Sequence, residues 1–506
     1  MSFKRSVLFS ALLLAMFLWG TGQVLASPVL IKLQLKDQSD YEKAKALNVL
    51  AFHRFDNLFI AESERSNLKA LEDRGLTYQI IDEEPWTQSY YVISESERYE
   101  KVDLSQYGKI LVQTGIFYFM KISDESARNL AEKGYHIAKV FQRAIPLKYK
   151  PVPKERPKAL PYYPSIDSLL SLISQDSLYA WNLRLQNFKT RYSYSDSVYR
   201  ARDWLFNKFL SFGIDSIWLH HYNYDSDQYN VVATVVGTVK PDKLLVVGGH
   251  YDSVVYGSGT NPYTWAPGAD DNGSGTVATL EMARIIAQHP LPVTVMFVPF
   301  AQEEQGLIGS DYFASYLSSQ GVDLPLMINA DMIAHNLGAH TAVEIYAASS
   351  AMEFVNIMID MANTYTYLTA SYSGQSSGSD HYSFYQYGYD AVFSSEGDFF
   401  SNGWHKNYDI VDSLNFGYMK EVVKMDLATL ITVAKSIGYK IGDANADGLI
   451  DILDIVFLIN YLFINGPNPD PFYTGDLNCD GQILIDDVVF LINYLFVNGP
   501  PPPASC

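Results

Sequence analysis

The chain has 506 residues, of which 48% are apolar, so it is long enough and apolar enough for about two to four domains with their own cores. Its 56 acidic residues outnumber the 37 basic ones, which gives a formal net charge of −19 at pH 7. A nucleic-acid partner needs a basic surface for its phosphates, so this charge argues against nucleic-acid binding. A surplus of carboxylates keeps a protein soluble and is also typical of calcium sites.

The first residues predict an export signal. Lys4 and Arg5 precede the apolar run Val7–Leu18, and Val24–Ala26 supplies small or apolar residues before a cleavage point at Ser27. The alternative is a membrane anchor, but the run is shorter than the ~20 residues that span a bilayer, and no second candidate follows. We therefore expect residues 1–26 to be a signal peptide, the mature protein to be secreted, and no membrane span to remain.

Residues 27–146 are predicted to form small α+β units. The first unit is expected to have a strand at Val29–Leu35, a helix at Tyr41–Leu50 and a strand at Leu58–Ala61. A second strand–helix–strand unit is predicted over Lys109–Ile145, with its helix at Ser123–Lys133. The region shows no catalytic constellation, and we interpret it as a propeptide that shields an active site and assists folding. An ordinary binding module is the alternative.

A proline-rich and basic stretch follows at 147–164. Six prolines lie between Pro146 and Pro164 inclusive, together with five basic residues: Lys148, Lys150, Lys154, Arg156 and Lys158. This composition is typical of a stiff, exposed linker and of a site of proteolytic nicking.

Residues 165–440 alternate between apolar runs and helical stretches, which is the pattern of an α/β domain with a doubly wound, mostly parallel sheet. Strands are predicted at Val231–Val236, Leu244–Val247, Val293–Phe300, Leu326–Ala330, Val343–Ala347 and Ala391–Ser394. Helices are predicted at Ser195–Leu210, Gly275–Gln288 and Gly309–Ser319. In such a domain, binding sites gather at the carboxyl ends of the strands.

Potential metal ligands stand at these strand ends. His250, Glu304 and Asp331 each follow a predicted strand closely, and Asp271 and His405 lie in patterned surroundings further along the chain. Two histidines and three carboxylates suit zinc, and five ligands are enough for two ions. These residues therefore predict a two-metal hydrolase.

Five motifs in a fixed order carry a family resemblance. They are Gly-His-x-Asp-Ser at 249–253, Gly-Ala-Asp-Asp-Asn-Gly-Ser-Gly at 268–275, Glu-Glu-x-Gly-Leu-x-Gly-Ser at 303–310, Asp-Met at 331–332, and the late His405. With these motifs, about residues 166–440 resemble the co-catalytic zinc aminopeptidase family, which includes bacterial leucyl aminopeptidase, aminopeptidase S and aminopeptidase Y. The resemblance implies the zinc exopeptidase fold and removal of N-terminal residues from peptides or proteins.

The resemblance also implies a role for each residue of the site. Asp271 would bridge two zinc ions, one completed by His250 and Asp331 and the other by Glu304 and His405.

Two further carboxylates match the family pattern. Glu303 would be the general base that takes a proton from the attacking water, and Asp252 would orient the ring of His250. One part departs from that pattern. Relatives commonly have a tyrosine shortly before a Ser-Asp-His motif, where it stabilises the oxyanion, but no tyrosine precedes Ser379 at 373–378. Tyr372, Tyr382 or another donor would have to take its place.

The tail at 441–506 is a tandem repeat with a period of 33 residues, in which Ile455–Phe463 recurs as Val488–Phe496. Each copy follows an acidic loop with oxygen ligands at the spacing of an EF-hand calcium loop, including glycine at position 6. The first loop offers Asp443, Asn445, Asp447, the carbonyl of Leu449, Asp451 and Asp454. The second offers Asp476, Asn478, Asp480, the carbonyl of Gln482 and Asp487, with Leu484 at position 9.

One apolar helix is predicted after each loop, so the tail resembles the type I dockerin module, a small all-α domain. The resemblance implies two calcium ions and a cohesin-type partner, which would place the protein outside the cell or at a cell surface. The chain has Ile452–Leu453 and Ile485–Asp486 where many dockerins carry Ser-Thr for partner recognition. The alternative is a calcium-stabilised tail without a partner. Cys479 and Cys506 can form a disulfide in an exported protein.

Together these observations predict a secreted two-zinc metallopeptidase, an aminopeptidase, with a propeptide-like N-terminal region and a calcium-binding dockerin. Two enzymes on the same scaffold are alternatives, a carboxypeptidase and a glutaminyl-cyclase-like enzyme. A third alternative is a non-catalytic, calcium-dependent binding protein.

Overall fold

The computed structural model describes residues 28–95, 100–151, 164–335, 341–397 and 403–503. The predicted signal peptide, most of the predicted linker and Cys506 lie outside these ranges. The chain divides into two compact units: the first is Met1–Ser89 with Phe141–Tyr149, and the second is Tyr90–Val140 with Lys150–Cys506. The region 27–146 thus contributes to both units.

The first unit is a four-stranded antiparallel sheet with two helices. Its elements are β1 (Pro28–Gln34), α1 (Gln38–Ala46), β2 (Leu50–Phe55), β3 (Leu58–Glu64), α2 (Leu68–Asp73) and β4 (Thr77–Asp82), and the strand order is β2-β3-β1-β4.

The predicted helix over Tyr41–Leu50 is wrong at its C-terminal end. Helix α1 ends at Ala46, because Asn48 adopts the left-handed conformation with φ of 52° and turns the chain. Leu50 already begins strand β2, where it pairs with Glu62.

The second unit begins with another antiparallel sheet, which we call the β5–β8 module (residues 90–140). It contains β5 (Tyr90–Ser94), β6 (Gly108–Thr114), β7 (Phe117–Ile122), α3 (Asp124–Glu132) and β8 (His136–Val140), in the strand order β6-β7-β5-β8. Ser123 caps α3 by accepting a hydrogen bond from the backbone of Ser126 at 3.0 Å. Buried apolar side chains of both layers, such as Ile93, Met120 and Leu130, form its core.

The main domain alternates strands and helices. Its elements are α4 (Pro164–Leu170), α5 (Gln175–Gln186), α6 (Asp196–Leu210), β9 (Ser216–Asn223), β10 (Asp227–Val235), β11 (Lys240–His250), α7 (Gly275–Gln288), β12 (Val293–Phe300), α8 (Ile308–Ser319), β13 (Leu326–Ala330), β14 (Ala342–Ala347), α9 (Met352–Tyr365), β15 (Thr369–Tyr372), α10 (His381–Gln386), β16 (Ala391–Glu396) and α11 (Phe416–Gly438).

These strands form one eight-stranded sheet in the order β15-β14-β16-β13-β11-β12-β10-β9. The central strands β16, β13, β11 and β12 are parallel, and antiparallel pairs join β10 to β12, β9 to β10 and β14 to β16. Central strands have continuous apolar runs because helices cover both faces of the sheet. The predicted α/β class is confirmed, and the sheet is mixed, with its parallel strands at the centre.

The tail forms a small helical domain with two helices, α12 (Ile452–Ile464) and α13 (Ile485–Phe496). Equivalent leucines of the two repeats, Leu458 and Leu491, are fully buried in its core. Cys479 is disulfide-bonded. Among the described helices, none combines the length and the apolarity that crossing a membrane requires.

Candidate metal centre and active site

Three of the predicted metal ligands lie at the same edge of the large sheet. His250 is the last residue of β11, Asp331 directly follows β13, and Glu304 lies four residues beyond the end of β12. β11 is hydrogen-bonded in parallel to both β12 and β13. The carboxyl ends of the three strands therefore meet, which is where doubly wound sheets place their sites.

The structure forms two groups of side chains that could each hold a metal ion, and Asp271 belongs to both. In the first group, Nε2 of His250 lies 3.3 Å from Oδ1 of Asp271 and 3.4 Å from Oδ2 of Asp331. In the second, Nε2 of His405 lies 3.2 Å from Oδ2 of Asp271 and 2.8 Å from Oε2 of Glu304. The two oxygens of Asp271 thus face different histidines, as a bridging carboxylate requires.

The chemistry of this donor set fits zinc. Within the part of the chain that the structure describes, Oε1 of Glu304 and Oδ1 of Asp331 are buried and have no hydrogen-bond partner. Buried carboxylate oxygens are costly unless a donor or a cation satisfies them. Imidazole and carboxylate are zinc ligands, so an ion at each group would remove this cost.

Asp271 is held by the loop that carries it. It lies in the short irregular segment Ala269–Ser274, where a cis peptide bond joins it to Asn272. The carboxylate of Asp409 accepts hydrogen bonds from the backbone N–H groups of Asp270 and Asp271, at 2.8 and 3.0 Å. Before the segment, Gly268 has φ of 50°, and a Cβ at this glycine would lie 2.5 Å from the carbonyl oxygen of Asp271. Glycine is therefore required at this position.

Asp252 connects the first histidine to the predicted base. Its Oδ1 lies 3.5 Å from Nδ1 of His250 and accepts a hydrogen bond from the backbone of Glu303 at 3.2 Å. Its Oδ2 accepts a longer bond of 3.4 Å from the backbone of Glu304. The carboxylate of Glu303 lies beside the first group, with Oε2 3.7 Å from Nε2 of His250.

Burial and mutual charge shift the pKa values of the site. Burial raises the pKa of Glu303 well above its usual range and that of Glu304 to about 7. Burial disfavours a charged imidazole, yet the surrounding carboxylates raise the pKa of His250 well above normal and that of His405 to about 10. Burial also opposes the charge of Asp271, but its bonds with both histidines hold its pKa below the usual value. The carboxyl and imidazole groups of the metal-free site therefore hold protons that a bound cation would displace.

Ser379, the first residue of the Ser-Asp-His motif, supports a ligand. Its hydroxyl donates to Oδ2 of Asp331 at 2.7 Å and accepts from the amide of Asn329 at 2.7 Å. Of the two tyrosines considered as oxyanion donors, Tyr372 donates to the carbonyl of Ala347 at 3.1 Å, and Tyr382 is buried. Neither is among the described residues that line the cavity at the metal centre.

The β5–β8 module contributes to that cavity, which the sequence pattern did not indicate. Tyr135 and His136 of the module line the cavity beside Trp404 and the metal-binding groups. Trp404 stacks on His405 with ring centroids 4.1 Å apart, and the ring of His136 lies 6.0 Å from Trp404. Apolar periodicity reports a strand but not the surface that the strand covers, so these residues carried no signal.

The two acidic loops of the tail have matching structures. In the first loop, Asp443 accepts hydrogen bonds from the backbone of Asp447 at 3.1 Å and of Gly448 at 3.0 Å. In the second, Asp476 accepts the equivalent bonds from Asp480 at 3.1 Å and from Gly481 at 2.9 Å.

The last acidic residue of each loop closes it in the same way. Asp454 accepts from the backbone of Asn445 at 3.1 Å, and Asp487 accepts from Asn478 at 3.2 Å. Position 9 differs between the two loops, since the side chain of Asp451 caps α12 whereas Leu484 precedes α13. The first and the last predicted ligands are therefore held in the same way in both loops.

The sheet, with paired histidine and carboxylate groups at its carboxyl edge, defines a metallohydrolase with an α/β fold. Comparison with known families makes this class specific. The sequence model of Peptidase family M28 matches residues 230–430, and that of the Dockerin type I domain matches residues 441–496. The chain carries both domains, and it is a zinc-dependent peptidase with a dockerin.

Individual relatives agree with the peptidase domain. Leucine aminopeptidase 1 of Ajellomyces capsulatus (strain NAm1 / WU24) is 28% identical over 352 residues, which are 65% of this chain and 90% of that protein. A probable zinc metalloprotease of Pyrenophora teres f. teres (strain 0-1) is 34% identical over 195 residues, 34% of this chain and 41% of that protein. The predicted resemblance to zinc aminopeptidases with a type I dockerin is confirmed.

Solved structures share the fold. LapB from Legionella pneumophila superposes with a TM-score of 0.55 at 20% identity, covering 69% of this chain and all of that chain. The LapA aminopeptidase of the same organism gives a TM-score of 0.55 at 19% identity, with 69% and 99% covered.

Proposed function

We propose that the protein is an exported aminopeptidase that uses two zinc ions to remove residues from the amino end of peptides. The observation that carries the proposal is the placement of Asp271, which offers one carboxylate oxygen to each of two histidine-containing groups. Relatives named leucine aminopeptidase support the substrate class. The predicted signal peptide and the dockerin support export.

Five residues would hold the ions: His250, Asp271 and Asp331 for one, and Asp271, Glu304 and His405 for the other. When bound, zinc supplies Lewis acidity, which polarises the scissile carbonyl and acidifies water. Four of the five ligands are buried and His405 is partly buried, which limits the access of solvent and strengthens the electrostatic effect.

Glu303 moves the proton in this proposal. Its carboxylate lies next to the first group and takes a proton from the attacking water, then delivers it to the nitrogen of the leaving amine. Because burial raises the pKa of Glu303, its carboxylate is a stronger base than an exposed glutamate. Asp252 holds both His250 and Glu303 in place, since it contacts the ring of His250 and the backbone of Glu303.

Selection of a chain end follows from the shape and charge of the cavity. Trp404 and the β5–β8 module line the cavity together with the carboxylates, so a bound chain end would contact both. Carboxyl groups among the lining residues, such as Glu303 and Glu304, suit a free α-ammonium group as the bound end of a peptide.

The test compares wild-type protein with Glu303→Gln on unblocked, N-acetylated and C-terminally amidated peptides. We expect the wild type to release the N-terminal residue, and the variant to keep its zinc content while kcat falls by about 10²–10⁴. Glu353→Gln, an exposed glutamate of α9, is the control.

Other outcomes identify the alternatives. Release from the carboxyl end would indicate a carboxypeptidase, and cyclisation of N-terminal glutamine with loss of ammonia would indicate a cyclase. Zinc-loaded protein that hydrolyses none of the peptides would indicate a binding protein.

We further propose that residues 27–146 act as a propeptide and that the β5–β8 module is the part that covers the site. The backbone N–H of Lys139 donates to the carbonyl of Gly306 at 3.1 Å, close to the predicted base. The hydroxyls of Ser94 and Ser377 lie 2.8 Å apart and are buried. The chain with the module in place should therefore be less active than the chain without it.

Gly378 offers a precise way to test the cover. A Cβ at this residue would lie 2.5 Å from Nδ1 of His136, so Gly378→Ala pushes the module away from the cavity. We expect its activity to rise several-fold, and His136→Ala combined with Gly378→Ala to match His136→Ala alone. A fall in activity would mean that the module helps to bind substrate, which is the alternative interpretation. Gly417→Ala at the start of α11 is the control.

The tail is proposed to bind two calcium ions and to dock on a cohesin-type partner. Equivalent apolar side chains of the two repeats are exposed, Ile452 by 56% and Ile485 by 54%, and Val456 and Val489 each by 47%. Such residues suit a protein interface. Calorimetric titration with calcium and with a cohesin module tests both claims, and calcium uptake without cohesin binding would leave only a stabilising role.

A further inference from the structure

Arg191 is a fully buried arginine in the turn between α5 and α6, outside both metal-binding groups. Its Nε donates to the carbonyl of Tyr251 at 2.6 Å, in the loop that follows His250. Its Nη1 and Nη2 donate to the carbonyls of Pro267 and Gly268, each at 2.7 Å, in the loop that leads to Asp271. One side chain therefore joins the two ends of the loop that connects His250 to Asp271.

The neighbouring backbone reinforces this connection. The N–H of Arg191 donates to the hydroxyl of Ser253 at 3.2 Å, and that hydroxyl donates to the carbonyl of Ala266 at 2.8 Å. Thr190 forms a parallel bridge with Ala266. Ser193 donates to Oδ2 of Asp252 at 2.9 Å. Thr190, Arg191 and Ser193, in a segment that we call the 190–193 clamp, thus contact both ends of this loop.

We propose that the 190–193 clamp is a positioning element that sets the separation of His250 and Asp271 and so allows one carboxylate to serve two ions. The planar guanidinium has donors in a fixed fork, and here three of them bind carbonyls at both ends of the loop. A shift of either end would stretch these bonds. The inference rests on the proposed two-zinc function. The residues of the clamp act only by positioning the ligands.

The charge of Arg191 adds a second contribution. A buried cation is costly unless anions lie nearby, and the carboxylates of Asp409, Asp252, Asp271 and Glu304 all act on it. Burial lowers the pKa of Arg191 to about 10, so it stays protonated at neutral pH. The cation therefore offsets part of the repulsion among the carboxylates before metal binds.

Three substitutions separate the two contributions. Arg191→Lys keeps the charge but loses the fork, and Arg191→Met loses both. Ser193→Ala removes only the bond to Asp252 and is the variant least disruptive to folding. Arg284→Lys is the control, because Arg284 also bonds a backbone carbonyl, that of Leu172 at 2.7 Å, on a helix that holds none of the ligands.

The experiment uses the full-length protein. Zinc affinity is measured by competition with a chelator, and the visible spectrum is recorded after replacement by Co²⁺, which reports ligand geometry. We expect Arg191→Lys and Ser193→Ala to lower zinc affinity by about 10–100-fold and to change the cobalt spectrum, with Arg191→Met affected most. In turnover, kcat should fall more than KM rises.

The proposal is overturned if Arg191→Lys and Ser193→Ala retain the wild-type spectrum and zinc affinity while only the melting temperature falls. Should both Arg191 variants fail to fold, Ser193→Ala decides alone. Metal affinity and spectrum do not depend on peptide hydrolysis. A wild type that binds two ions but lacks aminopeptidase activity would therefore refute the proposed function and leave the clamp standing.

Discussion

The metal centre of the main domain and the calcium loops of the tail both bring several metal ligands together, but they draw these ligands from very different distances along the chain. The ligands of the metal centre are distributed from His250 to His405, at or beyond the ends of several strands. Those of the first calcium loop all lie between Asp443 and Asp454. The first site forms only when the large sheet brings distant segments together, whereas each calcium loop is specified by twelve consecutive residues.

The two kinds of site also differ in how their carboxylates are satisfied without metal. In the tail, both oxygens of Asp443 and both of Asp476 accept hydrogen bonds from the backbone of their own loops. In the metal centre, the carboxylate of Asp331 accepts a hydrogen bond from the distant Ser379, and Asp271, Glu304 and Asp331 each have one buried carboxylate oxygen without a described hydrogen-bond partner. A substitution in the metal centre should therefore affect residues that are distant in the sequence, whereas a substitution in one calcium loop should affect that loop alone.

The largest effect is expected from the residue shared by both groups. Asp271→Asn removes one anionic oxygen from a position that faces both histidines, so the variant should bind less of both zinc ions. Activity should fall by more than the about 10–100-fold that is typical for outer-sphere partners. Asp454→Asn, at the end of a calcium loop, should lower calcium uptake and leave turnover unchanged. Metal analysis and peptide hydrolysis of both variants measure the difference.

Asp360→Asn, a buried aspartate of α9 outside both groups, controls for loss of a buried charge. The comparison between shared and local sites fails if Asp271→Asn keeps one ion at full occupancy with normal affinity.

Removal of calcium should have the next largest effect. Chelation should unfold the tail at 442–503, because the ligand loops define its helix starts, while the main domain keeps its fold. Hydrogen exchange should show rapid labelling of α12 and α13 only, with protection restored by calcium. Slow exchange throughout the tail in the absence of calcium would show that its apolar core suffices.

Much of this architecture could be predicted from the sequence where one physical signal dominated. The buried strand Val293–Phe300 was predicted with its observed ends, because an apolar run covered by helices on both faces is a strong pattern. Strands β9 and β15 were missed. β15 has four residues, Thr369–Tyr372, that are mostly exposed, and β9 pairs at the opposite edge of the sheet. Edge strands lack the burial that produces a pattern.

The residues of the site also differ in whether they could be predicted from the sequence. Five candidate ligands and Glu303 stood out because short motifs mark strand ends, and the structure brings them together. Arg191 and Asp409 gave no signal, because their function depends on which carbonyl and N–H groups surround them after folding. Residues that bind a ligand directly are restricted in type and spacing, whereas residues that position them are defined by packing.

A smaller effect is expected at Ser379, which supports the metal centre from a distance in sequence. Ser379→Ala removes the hydrogen bond to Asp331 and leaves a second carboxylate oxygen without its donor. We expect zinc affinity to fall by about tenfold, with little change in melting temperature of the zinc-loaded protein. Ser371→Ala on the exposed strand β15 is the control. Equal zinc affinity in both variants would show that Asp331 does not need the hydroxyl of Ser379 to hold its position.

The smallest effect, and the sharpest contrast, concerns pH and the calcium loops. Burial, with a further contribution from the charge of Asp454, raises the pKa of Asp443 from 3.8 to about 6. Between these values the calcium-free folded tail binds a proton more tightly than the unfolded tail does. Its stability should therefore decrease as pH rises from 3.8 to about 6.

Calcium should reverse the sign. The ion binds the ionised form of Asp443, so protons compete with it, and the stabilisation that calcium provides should grow as pH rises through the same range. Hydrogen exchange of α12, followed from pH 4 to about 7 with and without calcium, measures both slopes, with α7 of the main domain as the internal reference. Slopes of the same sign would mean that Asp443 does not bind calcium as a carboxylate. The first position of this self-contained loop would then not be a calcium ligand.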